Sequence, residues 1–289
     1  MTTDPARLDL DVARRRFDRI AARFADADYV HRKAFDGIVE RLSPVILDPR
    51  TILDLGSAHG TGSRRLARLY RGARIISLDA SAKMLAECRR RRSMFSRIRE
   101  CQADAMQIPL QTGSIDLVVA NLLLPWIDDL PACLAGIGRV LKNGGVFAFA
   151  TLGPDSFAEL RQAWQRVDAE PHVRDFPDMH DVGDALLRSG LRDPVLDAES
   201  LHVTFPDSAA LLRDLSDAGA GNCLVGRRPT LTGKMRFRQL RRELAKAAAD
   251  DRLSLRLELV YGHAWGAGQS ATPGEYLVAP GAIGRRAGR

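Results

Sequence analysis

At 289 residues, 45% hydrophobic and 27% charged, the chain has an ordinary globular composition, enough for one large domain or a domain carrying a substantial insertion. No segment approaches the roughly 20 uninterrupted apolar residues of a membrane span, and the opening MTTDPARLDLDVARRRF holds no apolar signal core, so no membrane role and a cytoplasmic location are the default expectations. Cys88, Cys101, Cys133 and Cys223 have no ligand spacing, so neither a zinc site nor a disulfide framework is suggested, and the net charge of +7 favours an acidic partner.

Residues 11–42 repeat apolar side chains at helical spacing (Val12, Phe17, Ile20, Phe24, Ile38, Leu42) and stop before Ser43-Pro44, which predicts a helical segment over residues 1–45. From residue 51 the texture changes. TILDL, ARIISLD, SIDLVVAN and GVFAFATL are short apolar runs separated by amphipathic stretches such as SRRLARLY, SAKMLAECRRR and LPACLAGIGRVLK. Strands alternating with helices predict an α/β fold, a three-layer sandwich around a mostly parallel sheet. The strands are expected near 51–55, 73–78, 98–101, 115–120 and 145–151. Beyond them, FAELRQAWQRVD and VGDALLRSG read as helices, the second closed by Gly190, and LDAESLHVTF as a strand region. Asp207 or Ser208 is placed to cap the helix in PDSAALLRDLSDAG; a basic helix over 234–249 and a last alternating strand, LSLRLELVYGHAW, follow. The expected divisions are a core at 46–205, a helical insertion at 206–250, the last strand at 251–265 and a disordered Gly/Ala/Pro/Arg-rich tail at 266–289.

LDLGSAHGTG, residues 53–62, runs a strand into a turn of small residues and then a helix starting near Thr61. That places Asp54, Gly56, Ser57, Ala58 and Gly60 at the carboxyl edge of the sheet, where open α/β folds bind ligands. Small side chains admit a ligand to the backbone, and the helix start presents free amides. A dinucleotide turn calls for glycine at 56, 58 and 61; Gly, Ala and Thr stand there, which argues against a nicotinamide cofactor. Polar residues close the next strands: Asp79, about twenty residues on, where a carboxylate accepts ribose hydroxyls, then Asp104 with Ala105, then Asn121. Each alone is an ordinary strand terminator. Four strand ends in order predict a cofactor crevice, flanked by Ala80, Met84 and Leu122. His59 reads either as a surface residue or as a contact to the cofactor's carboxylate.

LDLGSAHG, LDASAKML, ADAMQIPL, DLVVANLLLPWIDDL and VLKNGGVFAFATLG together resemble the class I S-adenosyl-L-methionine-dependent methyltransferases. RRRFDRIAARFADADYVHR, NLLLPWIDDLPACLAGIGRVLK and TLGPDSFAELRQAWQRVDAEPHV narrow the likeness to the malonyl-[acyl-carrier protein] O-methyltransferases of biotin synthesis, over residues 11–265. The resemblance implies a Rossmann-like core with an N-terminal helical lid and S-adenosyl-L-methionine as co-substrate. It puts Asp54, Gly56, Ser57 and Gly60 on the methionine and ribose, Asp79 on the ribose, Asp104 and Ala105 on the adenine, and Asn121 at the methionine end. It also implies methyl transfer to the free carboxylate of a malonyl thioester on acyl carrier protein, disguising it as an ordinary primer for fatty-acid synthesis. The chain departs from the family's G-C-G-x-G turn at Ser57 and Ala58; a methyl at 58 is expected to shrink the pocket without closing it. Phe24 stands where many relatives have tyrosine, so a role resting on that hydroxyl does not carry over.

A carboxylate acceptor, with a pKa of about 4, is ionised at neutral pH and needs no general base, so the lack of a His/Asp or Cys/His constellation suits this chemistry. It does need a positive holder. Arg161 and Arg166 are candidates, with His172 third; solvated helix charge is the competing reading of both arginines. Trp126 reads as an aromatic wall beside the methyl or as packing, and Phe24 as a lid over the pocket or a staple to the core. In GRRPTLTGKMRFRQLRRELAK, eight Lys/Arg accompany one acid, Glu243. On a helix Lys234, Arg238, Arg241 and Arg242 share one face, and Phe237, Leu240 and Leu244 the opposite one. The basic face suits an acidic acyl carrier protein; nucleic acid fits less well, because few aromatics interleave the charges, and a solvated face is the third reading. The Arg89–Arg92 run reads as a solubility feature.

Two other functions share these features. Asp214-Leu215 through Gly221-Asn222-Cys223 resembles a DL…G-x-x-N-C segment of the assembly-factor relatives of respiratory complex I, described as protein-arginine hydroxylases. The altered turn is also compatible with a non-catalytic S-adenosylmethionine-binding protein. The sequence leaves the oligomeric state open.

Overall fold

The computed structural model describes residues 4–228, 230–246 and 252–267. Seven strands make one sheet: β1 Thr51–Leu55, β2 Arg74–Asp79, β3 Ile98–Gln102, β4 Ile115–Asn121, β5 Leu141–Leu152, β6 Leu191–Phe205 and β7 Leu253–Gly266. Their order is β3-β2-β1-β4-β5-β7-β6. β1 to β5 pair in parallel, and β7 lies antiparallel to both β5 and β6. Both faces of the central strands are covered, which is why they read as nearly continuous apolar runs. Ile52 joins Ile75, Leu117 and Val119 on one face, while Leu53 and Leu55 join Val118 and Phe147 on the other. Burying each such side chain contributes about 1.5–3 kcal/mol.

Helices α1 Leu10–Ile20, α2 Tyr29–Leu42, α3 Thr61–Leu69, α4 Ala82–Arg91, α5 Leu130–Val140, α6 Ala158–Gln165 and α7 Met179–Arg188 surround the sheet. α2, α3 and α4 pack Phe35, Ile38, Leu66 and Cys88 on the first face; α5 and α7 pack Leu134, Ile137, Val182 and Leu186 on the second. Local chemistry sets their ends. Ser81 and Asp129 side chains accept the Met84 and Ala132 amides at the starts of α4 and α5, and Gly190, at φ +82°, stops α7. The helical run expected over 11–42 is broken, because Phe24 turns inward on a short 3-10 turn, Phe24–Asp26, and is only 1% exposed.

The helical insertion comprises α8 Ser208–Asp217 and α9 Lys234–Lys246, between β6 and β7. Leu240 and Leu244 dock on Leu160, Phe205, Leu211, Leu253 and Leu255. Phe237, expected on that face, is instead 44% exposed; it lies nearer the start of the helix than Leu240 and outside the docked cluster. Ahead of α1, residues 4–9 form a strap on the insertion: Leu8 bridges Leu224, the Asp9 amide donates to Cys223 O at 2.7 Å, and the Val225 amide to Arg7 O at 2.8 Å. The end of the expected basic helix, 247–249, and the tail from 268 onward lie outside the described residues.

Candidate functional site

The turn after β1 is fastened to the end of β2. The amides of Gly56 and Ser57 donate to Leu78 O at 2.8 and 3.0 Å, and those of Ala58 and Ser81 donate to the two Asp79 carboxylate oxygens, each at 2.8 Å. Burial raises the Asp79 pKa, and these backbone donors partly offset it. Gly60, at φ +77°, takes a left-handed conformation, and a Cβ there would collide with Cys88 Sγ. Ala58 is left-handed too, at φ +45°. A left-handed non-glycine residue costs roughly 1–2 kcal/mol, and the bond to Asp79 holds Ala58 there.

His59 is 3% exposed, which rules out the surface reading. Its Nε2 lies 3.2 Å from Asp28 Oδ2 and 2.9 Å from Thr61 Oγ1, and its ring meets Phe24 edge-on at 5.2 Å. It ties the turn to the start of α2. Asp54 is buried behind the turn, accepting from Ser63 Oγ, and burial pushes its carboxyl up to about 6.

A cavity of about 280 Å³ opens over this edge of the sheet. The first turn contributes Gly56 and Ala58, the next strand end Asp79, Ala80 and Met84, the third Asp104 and Ala105, and the fourth Asn121 and Leu122. Phe24 and Trp126 join them. Asp54 and Ser57 line a smaller space of about 30 Å³ beside it, with Gly56, Ala58 and Asn121. Gly60 lines neither space; its left-handed backbone shapes the turn that brings the other residues to the cavity. Ser57 Oγ and Asn121 Oδ1 are buried without a partner, so polar capacity is held ready for a bound group. Asn121 Nδ2 donates to His31 O at 2.9 Å.

A second cavity, of about 340 Å³, is walled by apolar side chains such as Leu152, Phe157, Phe205, Leu255 and Leu257. The two cavities share Phe17, His31, Leu122 and Trp126. Trp126, on the 3-10 turn Leu124–Trp126, meets Phe17 edge-on at 5.1 Å. Asp214, Leu215, Gly221, Asn222 and Cys223 also line the second cavity, so the segment that suggested arginine hydroxylation is accounted for as cavity wall.

Two lining residues had no signal in the sequence. His31 borders all three spaces; desolvation lowers its pKa to about 4 against the opposing pull of Asp28, and its Nδ1 has no partner. A lone histidine within a helix carries no motif. Arg174 lies in a stretch without periodicity. Its Nη1 and Nη2 donate to Pro125 O at 3.2 Å and Ile127 O at 2.8 Å, and Nη1 pairs with Asp128 at 3.1 Å.

The arginines expected to hold an acceptor lie elsewhere. α6 buries Leu160 and Ala163, and neither Arg161 nor Arg166 is among the residues lining the cavity. Arg161 donates to Arg174 O, and exposed Arg166 pairs with Glu243 at 3.3 Å. His172 does line the cavity, but it is stacked on Trp164 at 3.5 Å with its Nε2 2.7 Å from Asp168. On α9, Lys234, Arg238, Arg241 and Arg242 are exposed and, among the described residues, make no ion pair; Arg241 Nε donates to Ser208 Oγ at 3.2 Å. The Arg89–Arg92 run is paired throughout with Glu87 and Glu100. Among the described residues no cluster of His, Cys, Asp and Glu could hold a metal ion, and no helix is long and apolar enough to cross a membrane.

Residues 53–149 match the family described as methyltransferase domain. Among solved structures, the YcgJ protein of Bacillus subtilis superposes with a TM-score of 0.57 at 15% identity, covering 81% of this chain and 98% of that one. The [4+2]-cyclase SpnF superposes at 0.52 and 18% identity, covering 82% of each. These likenesses establish the class I methyltransferase fold and, as the cyclase illustrates, not the reaction. Curated relatives carry more. The malonyl-[acyl-carrier protein] O-methyltransferase of Gallionella capsiferriformans (strain ES-2) is 39% identical over 264 residues, covering 89% of this chain and 91% of its own. That of Halorhodospira halophila (strain DSM 244 / SL1) is 39% identical over 267 residues, covering 92% and 90%. With a fold, a cofactor edge and a full-length likeness in agreement, the chain belongs to the malonyl-[acyl-carrier protein] O-methyltransferase family.

Proposed function

We propose that this protein transfers a methyl group from S-adenosyl-L-methionine to the free carboxylate of a malonyl group carried on acyl carrier protein, a step of biotin synthesis, in the cytoplasm. The observation that carries this reading is the shared wall: a cavity edged by strand-end carboxylates meets an apolar one at Phe17, His31, Leu122 and Trp126. Residues present suit the co-substrate. Asp79 is the acceptor for ribose hydroxyls, Asp104 and Ala105 border the adenine, Met84 packs beside them, and the unpartnered Asn121 Oδ1 and Ser57 Oγ serve the methionine end. When bound, S-adenosylmethionine supplies an electrophilic methyl on a sulfonium.

The chain's own part is alignment and dryness, since an ionised carboxylate needs no base. Phe17 and Trp126 present aromatic surface at the crossing and exclude water. His31, held neutral by burial, places no second positive charge beside a sulfonium. Phe24 roofs the turn, and the segment up to residue 45 serves as a lid over the donor cavity. Lys234, Arg238, Arg241 and Arg242, on the insertion at 206–250, are assigned to the acidic carrier protein, whose approach their charge accelerates.

The test is to mix purified protein with methyl-labelled S-adenosylmethionine and malonyl-acyl carrier protein. A labelled, base-labile methyl ester on the carrier is expected. Tight binding of S-adenosylhomocysteine with no ester formed would remove this function.

A further inference from the structure

The apolar cavity has one Lys or Arg side chain in its lining among the described residues, Arg174. A carboxylate entering such a cavity loses its hydration and requires a charged, hydrogen-bonding partner. His31 also lines it with Nδ1 unpartnered, but burial holds that ring neutral and it supplies no charge; His172, Asn222 and Asp214 are spent or of the wrong sign. His172 is engaged with Asp168 and stacked on Trp164; the Asn222 amide donates to Pro171 O at 2.7 Å and its carbonyl accepts the Leu224 amide; Asp214 repels an anion.

We infer that Arg174 receives the carboxylate of the acceptor and that Asp128 positions it to do so. The inference rests on the function proposed above. Arg174 is fastened to Pro125 O and Ile127 O, the carbonyls on either side of Trp126, so its guanidinium is anchored beside the wall where the methyl must cross. Asp128 accepts from Arg174 at 3.1 Å, from the Leu8 amide at 3.1 and 3.2 Å, and stands 3.6 Å from Arg7 Nε. Two guanidiniums around one carboxylate leave a net positive charge for an incoming anion. None of the hydrogen bonds of Arg174 among the described residues uses Nε, which leaves that donor for the acceptor. The strap of residues 4–9 thus ends on the same carboxylate that orients the acceptor's holder.

The full-length chain tests this with three measurements: the KM for malonyl-acyl carrier protein, the inhibition constant of acetyl-acyl carrier protein, which lacks the carboxylate, and the Kd for S-adenosylhomocysteine. Arg174→Gln is expected to raise the malonyl KM by about 10–100-fold and leave the other two constants unchanged. Arg174→Lys, which keeps the charge and loses the fork, should fall between. Should Arg174→Gln fail to bind S-adenosylhomocysteine because it does not fold, the Lys variant decides alone, through a drop in its malonyl-over-acetyl preference. Equal weakening of malonyl and acetyl carriers, or no change in either, overturns the assignment. A wild-type chain that binds S-adenosylhomocysteine and makes no malonyl ester removes the underlying function instead, so the two failures are distinguishable.

Discussion

Ala58 holds the cofactor turn in a backbone conformation that glycine enters without penalty, at φ +45°. Ala58→Gly is therefore expected to raise folding stability by about 0.5–1 kcal/mol, read by urea denaturation, or at least to lose nothing, with affinity for S-adenosylhomocysteine preserved. Asp79 does two jobs through one carboxylate, holding Ala58 and Ser81 amides while facing the cavity. Asp79→Ala should weaken S-adenosylhomocysteine binding at least about 100-fold by calorimetry, since hydrogen bonds to a charged acceptor and the set of the turn are lost together. Intact affinity would mean the crevice is elsewhere. His31 carries a pH signature. Its folded pKa, about 4, lies below its ordinary 6.5, so between these values the unfolded chain binds more protons and stability falls as pH drops. Asp54, raised to about 6 from 3.8, acts in the opposite sense, favouring the folded chain on the acid side of pH 6. Between pH 7 and 5, His31→Asn should accordingly lose about 1–2 kcal/mol less stability than the wild type. Asp79, Asp104 and Asn121 were legible in the sequence because a residue ending a parallel strand has its position set by the strand. Arg174 and His31 were not, because their roles depend on which distant segments converge on them.

Among the elements, periodicity located the strands of the parallel half and the main helices, and it misled where tertiary contacts outweigh it. The 11–42 run kept its helical spacing through Phe24, yet that ring is buried with Ile20, Ala21 and Met84 on a 3-10 turn that interrupts the helix. Arg161 lies on α6 and Arg166 just after it, but it is Leu160 on that helix that lines the cavity, and the two arginines do not. The basic face of α9 makes a prediction at this scale. Reversing charge at Arg238 and Arg241 is expected to raise the KM for malonyl-acyl carrier protein about tenfold at low salt, flatten its ionic-strength dependence and leave kcat intact. Unchanged kinetics across salt would leave those residues as solvated surface.

At the scale of the whole molecule, strand–helix alternation is enough to announce a covered parallel sheet with a ligand edge. It does not announce a second cavity, which is built from β6, β7, α8, the residues 171–176 and the α1 region, segments far apart in sequence. The full account depends on that cavity meeting the first at Phe17, His31, Leu122 and Trp126. A crystal structure of the complex with S-adenosylhomocysteine measures this most directly. The ribose is predicted on Asp79, the adenine beside Asp104 and Ala105, and the sulfur facing the shared wall with the apolar cavity open beyond it. A ligand whose sulfur points away from Trp126 and Phe17, or whose adenosine fills the apolar cavity, would contradict the account.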